Sequence, residues 1–319
     1  MTAPLTNRLV TIFGGSGFIG RHLVRALAHE GWRIRVAVRR PNVAHFLRPA
    51  GRVGQIQLLK TNVRDDAQVA EAIAGADAVI NLVAIMKQSG GQRFDALHAE
   101  AAERIARLAR QAGADRLIHF SALGVGDETT SRYYRTKAEG EALVRQEFPA
   151  ATIVRPAVVF GQEDQLFNRF AALMRMFPLF PVIGGGHTRF QPVFVGDVAE
   201  GVAALLRDGN TAGRVFEFAG PEEMTLKEMI QLVAHETDRK RALIPLPFAI
   251  AKVLGAVAQF VPGAPITYDE VLTLQSDSVA SGTLPDLSSL GITPTASEAI
   301  LPSYIWRFRP RGQFTPAPG

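Results

Sequence analysis

A tyrosine and a lysine four residues apart, Tyr133 and Lys137, are the pair of side chains in this sequence best suited to proton transfer. A spacing of four residues places both side chains on one face of a helix. A neighbouring ammonium group favours the tyrosinate, so we expect Lys137 to lower the pKa of the phenol. Ser121 ends a predicted strand twelve residues before Tyr133, where its hydroxyl could donate a hydrogen bond to a substrate carbonyl. These three residues form the candidate catalytic set.

A glycine-rich loop near the start of the chain is the most informative binding motif. It consists of Gly14, Gly15, Ser16, Gly17, Phe18, Ile19 and Gly20. The loop joins an apolar run typical of a buried strand to a segment with helical spacing of apolar residues. A strand, a glycine turn and a helix cradle a diphosphate, because backbone N–H groups and the helix dipole face the anion. The loop predicts a bound dinucleotide; the alternative is a glycine-rich turn that holds no ligand.

Each glycine of the loop has a predicted task. We expect Gly14 to permit the tight turn and Gly17 to let the backbone approach the phosphates. Gly20 would let the helix pack closely on the strand.

Two arginines end the second predicted strand, about twenty residues beyond the loop, where dinucleotide-binding proteins select their cofactor. An acidic residue at that point binds the ribose 2′-hydroxyl of NAD, but the sequence has Arg39 and Arg40 there instead. Guanidinium groups bind a phosphate in bidentate fashion. The sequence therefore predicts NADP(H), that is NADPH or NADP+, over NAD(H). The alternative is that both arginines belong to a solvated basic face.

Further cofactor contacts are predicted from position alone. Asn62 and Val63 follow the third predicted strand, where the adenine would lie. The stretch that closes the fourth strand would pass the ribose and diphosphate, and it supplies Leu82, Val83 and Ala84. Tyr133 and Lys137 could also hold the nicotinamide ribose.

Alternating strands and helices are expected to position these residues. Predicted strands lie at 9–13, 33–38, 56–60, 77–83, 116–120 and 151–155. Predicted helices lie at 18–30, 66–74, 95–112, 132–147 and 197–207, with Asp65, Asp66 and Asp197 as expected caps. This alternation predicts an α/β fold, a Rossmann-type doubly wound parallel sheet covered on both faces.

The pattern changes after Gly161. We expect a helix at 164–181, a bend at 184–186, strands 193–195 and 216–218 returning to the main sheet, and helices at 225–236, 247–260 and 267–275. The predicted domains are an NADP-binding Rossmann domain of residues 1–163 completed by 190–220, a smaller α-rich lobe of 164–189 and 221–309, and a flexible tail at 310–319.

Composition narrows the class of protein. The chain has 319 residues, 47% hydrophobic and 20% charged, which fits a globular protein with a sizeable core. It contains no cysteine, which excludes disulfides and thiol catalysis and fits a reducing compartment. The formal net charge is +5, and residues 1–52 carry nine arginines against Glu30 alone. That basic segment is either a solvated face or an attraction for an anionic cofactor, partner or membrane surface.

Several classes are set aside by what the sequence lacks. No nucleic-acid-binding motif is present, so no nucleic acid partner is predicted. No run of 18 uncharged apolar residues suggests a membrane-spanning helix. The first predicted strand begins by Leu9, so we expect no signal or transit peptide. We therefore expect a cytoplasmic protein, with a peripheral position on the cytoplasmic face of the inner membrane as the membrane-associated alternative.

Two apolar stretches bear on the choice of ligand. Residues 166–183 are rich in Phe, Leu and Met and offer few polar groups for a nucleotide-sugar. A lipophilic ligand or a protein partner fits them better, and ordinary core packing is the alternative. Residues 245–265 either form a core helix of the lobe or lie on a membrane or partner.

The sequence resembles the extended or atypical short-chain dehydrogenase/reductase superfamily over nearly its whole length. The resemblance is carried by the glycine-rich loop, Ser121, Tyr133 with Lys137, and the segments 155–161, 192–199 and 218–221. In that superfamily the tyrosine is the general acid/base, the serine polarises the carbonyl, and the stretch after Arg–Pro flanks the nicotinamide. The resemblance thus implies that Pro156 and Val159 contact the cofactor.

One branch of the superfamily is the more similar. Residues 131–133, 160–171 and 191–193 resemble the nucleotide-binding accessory subunit of respiratory complex I. Members of that branch hold NADPH as a structural cofactor near the quinone-binding junction. We expect no targeting segment of the kind that mitochondrial members carry, so the sequence resembles a bacterial version, and complex I subunits become candidate partners.

Two hypotheses of different class follow. In the first, NADP(H) stabilises a binding subunit of a larger assembly. In the second, Ser121, Tyr133 and Lys137 carry out NADP(H)-dependent oxidoreduction or epimerisation of a small, lipophilic carbonyl compound. An NADP-sensing regulator is disfavoured, because such relatives typically lack the Tyr–Lys pair.

Overall fold

A seven-stranded parallel sheet forms the centre of the molecule. The structure is a computed structural model, and it describes residues 5–126, 130–258 and 266–314. In chain order the strands of this part are β1 (Leu9–Phe13), β2 (Arg33–Val38), β3 (Ile56–Lys60), β4 (Ala78–Asn81), β5 (Arg116–Phe120), β6 (Thr152–Pro156), β7 (Val159–Phe160), β8 (Leu179–Ile183), β9 (Arg189–Phe190), β10 (Val193–Phe194), β11 (Val215–Phe218), β12 (Met224–Thr225) and β13 (Ala242–Leu246).

The helices cover the sheet and build the second half of the chain. They are α1 (Phe18–His29), α2 (Asp66–Ile73), α3 (Glu100–Gln111), α4 (Arg132–Glu147), α5 (Leu166–Met176), α6 (Val195–Arg207), α7 (Leu226–Glu236), α8 (Phe248–Ala258), α9 (Tyr268–Thr273), α10 (Ser297–Ile300) and α11 (Pro302–Ile305). A π-helical turn, Asp95–Ala99, leads directly into α3.

The order of the strands locates the binding crevice. The main sheet runs β11-β6-β5-β4-β1-β2-β3, and every neighbouring pair is parallel. The direction of winding reverses between β1 and β4, and ligands of open α/β sheets bind at the carboxyl ends of strands at such a switch point. The predicted Rossmann-type fold is therefore confirmed.

Both faces of the sheet are covered, and β1 is buried along its whole length, with Thr11 as its one polar residue. On one face α1 and α6 pack through residues such as Leu23, Leu27 and Val202. On the other face α2, α3 and α4 contribute Val69, Ile105 and Val144. A third core, separate from these two, joins α5, α7, α11 and β8 and is built around Phe167, Met229 and Ile305 among others.

Most predicted elements are found with small shifts of their ends. Strands 9–13, 33–38, 56–60 and 116–120 are found as predicted, and 216–218 does join the main sheet as part of β11. Strand 77–83 is shorter, since β4 ends at Asn81. Asp65 caps α2 as predicted, because its carboxylate accepts a hydrogen bond from the Gln68 N–H at 3.1 Å.

Three predictions of local structure were wrong. The helix predicted at 164–181 ends at Met176, because Phe177 precedes a proline and adopts an extended conformation; β8 follows. Residues 193–194 pair with β7 in a separate small sheet, and Val195 already begins α6. The expected cap Asp197 instead lies within the first turn of α6, where its carboxylate accepts hydrogen bonds from Thr295.

Two predicted segments lie partly outside the described residues. The apolar stretch 245–265 forms β13 in part and then α8, but 259–265 are not described. Of the predicted tail, 312–314 form a short 3₁₀ turn and 315–319 are not described. No helix among the described residues is long and apolar enough to cross a membrane.

Candidate functional site

Two glycines of the glycine-rich loop, Gly14 and Gly20, lie where a side chain would meet neighbouring backbone. Gly14 has φ +80°, and a Cβ there would lie 3.1 Å from the backbone carbonyl carbon of Leu82. The Gly17 N–H donates to the Gly14 carbonyl at 3.0 Å, which closes the turn. A Cβ on Gly20 would lie 2.5 Å from the Cα of Gly15, so α1 can approach the loop only without a side chain at this position. The loop is therefore packed backbone against backbone.

The start of α1 is open to an anion. Gly17 is its N-cap residue and offers no side chain, and no acidic side chain lies in the first turn. The first N–H groups of a helix have no partner within the helix, and the helix dipole makes this end positive. A diphosphate is the ligand that such a terminus binds.

A cavity of about 250 Å3 lies beside the loop, and we call it the glycine-loop cleft. Its lining residues are Gly14, Ser16, Gly17, Ala37, Val38, Arg39, Thr61, Asn62, Val63, Arg64, Leu82, Val83, Ala84, Ile85, Gln92 and Leu97. They come from the carboxyl ends of β1 to β4 and the segments that follow them. The cleft thus gathers nine of the eighteen residues that were predicted to hold the nucleotide.

The remaining residues of the loop face elsewhere. Gly15 packs against the sheet, since a Cβ there would lie 2.7 Å from a methyl group of Val36. Ile19 packs against the core under α1. The ring of Phe18 packs edge-on against His22, with ring centroids 5.9 Å apart.

Two arginines line the cleft, Arg39 and Arg64, and of these only Arg39 was predicted. Arg39 is exposed and lines the cleft, whereas Arg40 next to it is exposed and precedes a 3₁₀ turn at 41–43. Arg64 also lines the cleft and was missed. Arg64 follows Asn62 by two residues, and Asn62 had been predicted to contact the adenine, so Arg64 could have been predicted to lie near the cleft as well. The Asn62 side chain accepts from the Arg64 N–H at 3.2 Å and so shapes this turn.

Ser121 and Lys137 meet at the end of β5. The Lys137 side chain is 2% exposed, and its ammonium group donates a hydrogen bond to the Phe120 carbonyl at 2.8 Å. Burial lowers the pKa of Lys137 to about 8. The Ser121 hydroxyl is buried and has no hydrogen-bond partner among the described residues. An unsatisfied buried hydroxyl is costly, so its place fits a ligand oxygen that would complete it.

Tyr133 lies in an aromatic group at the start of α4. Its ring packs edge-on against Phe94, His98 and Tyr134, with centroids 6.0, 5.4 and 5.4 Å away. Burial raises the pKa of the Tyr133 phenol, and Tyr134 raises it further. The expected lowering by Lys137 was therefore wrong for this structure. The reason is that burial disfavours the tyrosinate, while the lysine ammonium is engaged by a backbone carbonyl.

Two buried histidines beside the catalytic set were missed by the sequence analysis. The Ile85 N–H donates to Nε2 of His98 at 3.1 Å, so Nδ1 carries the proton and lies 3.0 Å from the Thr136 hydroxyl. His119 contacts the Asn81 side chain through Nδ1 at 3.1 Å, and its Nε2 has no partner in the described structure. Burial, followed by the charge of Lys137, lowers the pKa of each histidine to about 3. Both are neutral at pH 7.

A carboxylate from a distant part of the chain holds the start of α4. Asp269, on α9, accepts hydrogen bonds from the Ser131 hydroxyl at 3.0 Å and from the backbone N–H groups of Arg132 and Tyr133 at 2.7 and 3.1 Å. This cap satisfies N–H groups that the helix itself leaves unpaired. Tyr133 is therefore positioned by α9, a contact that local sequence patterns cannot reveal.

Pro156 and Val159, which the resemblance assigns to the cofactor, lie on two short neighbouring strands. Pro156 ends β6, and its carbonyl accepts from the Leu123 N–H at 2.9 Å, just beyond Ser121. Val159 begins β7 and is partly exposed. Arg155 fastens β6 to α4, since its guanidinium binds the buried Glu141 carboxylate at 2.7 Å.

Within the described residues no group of three His, Asp or Glu side chains is arranged to hold a metal ion. The polar groups of the site are instead backbone N–H groups, arginines, a serine, a tyrosine and a lysine. This donor set suits an anionic dinucleotide and a carbonyl or hydroxyl group.

Comparison with known proteins defines the class. Residues 10–219 match the model of the NAD dependent epimerase/dehydratase family. The chain belongs to this family. Its fold is similar to that of a dTDP-glucose 4,6-dehydratase from Streptomyces venezuelae solved with NAD and TYD bound, with a TM-score of 0.71 and 20% identity over 94% of this chain and 96% of that one.

The sequence relatives point to a narrower branch. The chain is 31% identical to NADH dehydrogenase (ubiquinone) 1 alpha subcomplex subunit 9, mitochondrial, of Arabidopsis thaliana, over 95% of this chain and 79% of the relative. It is also 31% identical to a ceramide reductase of Caulobacter vibrioides, over 75% of this chain and 74% of that enzyme. The resemblance to the complex I accessory subunit family is thereby confirmed.

Proposed function

We propose that this protein binds NADP(H) as a structural cofactor and docks on a respiratory complex. Nucleotide binding is supported by the glycine-loop cleft. Its lining includes Arg39 and Arg64, and it lies at the start of α1, which has no side-chain cap. The similarity to a subunit of NADH dehydrogenase supports the docking part.

Each part of NADP(H) is expected to contact particular residues of the chain. The N–H groups of the loop and of the first turn of α1 bind the diphosphate. Arg39 and Arg64 bind the 2′-phosphate, which a bidentate guanidinium suits. Asn62 and Val63 lie against the adenine, and residues 82–84 against the adjoining ribose.

The nicotinamide end uses the residues at β5, β6 and α4. Tyr133 and Lys137 hold the nicotinamide ribose, and Pro156 and Val159 flank the ring. The bound nicotinamide would supply hydride chemistry, but the raised pKa of Tyr133 argues that the site is not poised for rapid proton transfer.

A structural cofactor has a thermodynamic consequence. A ligand that binds only the folded chain, at 1,000 times its dissociation constant, adds about 4 kcal/mol to stability. We expect NADPH absorbance to remain with the protein through gel filtration. We also expect complex I subunits to be recovered with a tagged chain from native membranes. Protein that carries no nucleotide and recovers no such subunit would contradict the proposal.

A second function is favoured by one observation, the unpartnered hydroxyl of Ser121 beside Tyr133 and Lys137. This constellation suits reduction of a carbonyl compound, in which Ser121 polarises the carbonyl and Tyr133 donates a proton to its oxygen. The ceramide reductase relative makes a lipophilic substrate the reasonable choice. Carbonyl-dependent consumption of NADPH that is lost in Tyr133→Phe would establish this function over the first.

The domain division is proposed in the form that the sequence suggested. Residues 1–163 with 190–220 form the nucleotide-binding unit, and 164–189 with 221–309 form the lobe. The third core supports this division, because twelve of its fourteen buried residues lie in the lobe segments and only Phe160 and Phe190 come from the nucleotide-binding unit. Limited proteolysis that releases the lobe segments before the sheet would support it further, whereas cleavage within the sheet first would contradict it.

A further inference from the structure

The lobe contains a larger cavity than the glycine-loop cleft. Its volume is about 500 Å3, within the usual range for small-molecule sites. Its walls come from α5, β8, α7 and β13, and α8 and the start of α9 lie over it. We call it the lobe cavity. It shares no lining residue with the glycine-loop cleft in the described chain, so it is a separate site.

The lining of the lobe cavity is almost entirely apolar. Of its fifteen described lining residues, thirteen are apolar and two are charged, namely Arg169 and Glu270. A sugar or nucleotide needs several convergent hydrogen-bonding groups, and an apolar wall leaves them unpaired. A hydrocarbon chain needs none. The apolar lining therefore suits a hydrocarbon ligand better than a sugar or a nucleotide.

The charged residues of the cavity form a small cluster. Arg169 binds one carboxylate oxygen of Glu270 at 3.3 Å, and Lys87 lies 3.6 Å from the other. Two cations thus face one carboxylate, and all three side chains are partly exposed. The cluster has a net positive charge, which complements an anionic head group.

The helix α8 explains why this cavity exists and how a ligand reaches it. Only Ala251 and Gly255 of α8 are buried, and Ala251, which lines the cavity, is too small to fill it. A Cβ on Gly255 would lie 2.9 Å from the Tyr268 N atom, so the helix is held close to α9 at this point. Leu254 and Val257 line the cavity and are 51% and 66% exposed. The apolar lining therefore continues to the surface along this helix.

We propose that the lobe cavity binds the long acyl chain of an anionic lipid, with its head group at Arg169 and Lys87. The occupant is a hydrocarbon chain rather than a protein segment, because thirteen of the fifteen described lining residues are apolar and offer no partners to backbone N–H and carbonyl groups. The acyl chain can belong to a free fatty acid or to an anionic phospholipid. Binding of either lipid in this cavity does not require that a nucleotide be bound in the glycine-loop cleft.

The test uses the full-length protein and cis-parinaric acid, a fluorescent fatty acid. Ala251→Phe fills the cavity from the buried side of α8. Leu254→Gln introduces a polar amide into the apolar lining. Because Leu254 is about half exposed, this substitution should disturb folding less than Ala251→Phe does. Val253→Phe is the matched control, because Val253 is 64% exposed on the same helix and does not line the cavity.

We expect saturable binding of one equivalent of the probe to the parent chain. Filling the cavity with Ala251→Phe should weaken this binding by about tenfold or more, Leu254→Gln should weaken it less, and Val253→Phe should leave it unchanged. NADPH binding should be equal in all variants, which reports on folding and separates this result from the proposed nucleotide function. No saturable binding, or equal binding by Ala251→Phe and Val253→Phe, overturns the proposal.

A second arm identifies the source of the chain. The protein is sedimented with vesicles of phosphatidylglycerol or of phosphatidylcholine. Sedimentation with phosphatidylglycerol alone that Ala251→Phe abolishes assigns a phospholipid chain, and probe binding without sedimentation assigns a free fatty acid. Equal sedimentation with both vesicles, unchanged in Ala251→Phe, contradicts the anionic head group.

Discussion

The glycine-loop cleft and the lobe cavity are candidate binding sites that differ in how they are formed. The glycine-rich loop of the cleft packs through its backbone, since a Cβ on Gly20 would lie 2.5 Å from the Cα of Gly15 and one on Gly14 would lie 3.1 Å from the carbonyl carbon of Leu82. The cavity is made of interchangeable apolar side chains around an empty volume. Backbone packing cannot relax when an atom is added, whereas an apolar wall tolerates swaps that conserve volume. The first site should therefore be far more sensitive to mutation than the second.

The largest effect is expected for Gly20→Ala. Alanine normally stabilises a helix interior by up to about 1 kcal/mol over glycine, but here its Cβ meets the Gly15 backbone. We expect a net destabilisation on the order of 3 kcal/mol and loss of measurable NADPH binding. Urea unfolding and calorimetry measure the two effects.

Gly126→Ala is the control for that variant. None of the described atoms considered lies within 4 Å of its Cβ position, and the variant adds the same methyl group at an exposed loop position. Equal stability and equal binding for the two variants would show that the loop is not packed as described.

Reversing the charge at the adenosine side should change affinity next most strongly. Arg39→Glu places a carboxylate against the 2′-phosphate, so we expect NADPH binding to weaken by about 100-fold and NADH binding to weaken little. Arg33→Glu, at the exposed amino end of the same strand, carries the same charge change away from the cleft. Titration of each variant with NADPH and with NADH measures the two affinities. An equal loss of NADPH affinity in both variants would show that the overall positive charge of this segment, and not a contact of Arg39, is responsible.

The buried lysine predicts a pH dependence of stability. Its pKa is lowered to about 8 in the folded chain, so between pH 8 and about 10 the unfolded chain binds more protons than the folded one. Stability should therefore rise across this window, by on the order of 2 kcal/mol. Urea unfolding at each pH, in parallel with Lys137→Met, measures it. A rise that persists unchanged in Lys137→Met would refute the assignment.

Removing the long-range cap should cost less. Asp269→Ala leaves the N–H groups of Arg132 and Tyr133 without their acceptor, and we expect a loss of about 1 kcal/mol. Because the start of α4 also orients Tyr133, the aromatic near-ultraviolet circular dichroism should change. Asp286→Ala, which removes an acceptor at an exposed turn, should leave that spectrum as it is. An unchanged spectrum in Asp269→Ala would show that the cap does not position Tyr133.

Only a small effect on ligand binding is expected from a volume-conserving change within the lobe cavity. Leu173→Met conserves volume in its wall, so stability should change by less than about 1.5 kcal/mol. Binding of cis-parinaric acid should stay within a few-fold of the parent value. A loss as large as that of Gly20→Ala would remove the contrast between the two sites.

Local sequence patterns predicted the parts of the fold that depend on local physics. The run from β1 through the loop into α1 could be predicted, because continuous apolar residues, positive-φ glycine and helical spacing all agree there. Residues 193–195 could not, because which strand a short segment pairs with is decided by tertiary packing. The end of α5 at Met176 was predictable in principle from Pro178, since residues before proline favour an extended conformation.

The candidate site was predictable in its residue types but not in its electrostatics. Arg39 and the glycines follow from spacing, and Arg64 is brought to them only by the turn after β3. The pKa of Tyr133 depends on burial by Phe94 and His98, which are far from it in sequence. Asp269 reaches α4 from the other end of the chain. Such contacts require the folded structure.

The central claim is that the bare loop and its neighbouring arginines bind a phosphorylated dinucleotide. Isothermal titration calorimetry of the full-length chain with NADPH and with NADH tests this claim most directly. We predict one NADPH site, bound about tenfold or more tightly than NADH because the 2′-phosphate adds a charge-assisted contact. No heat with either nucleotide, or tighter binding of NADH, would contradict it.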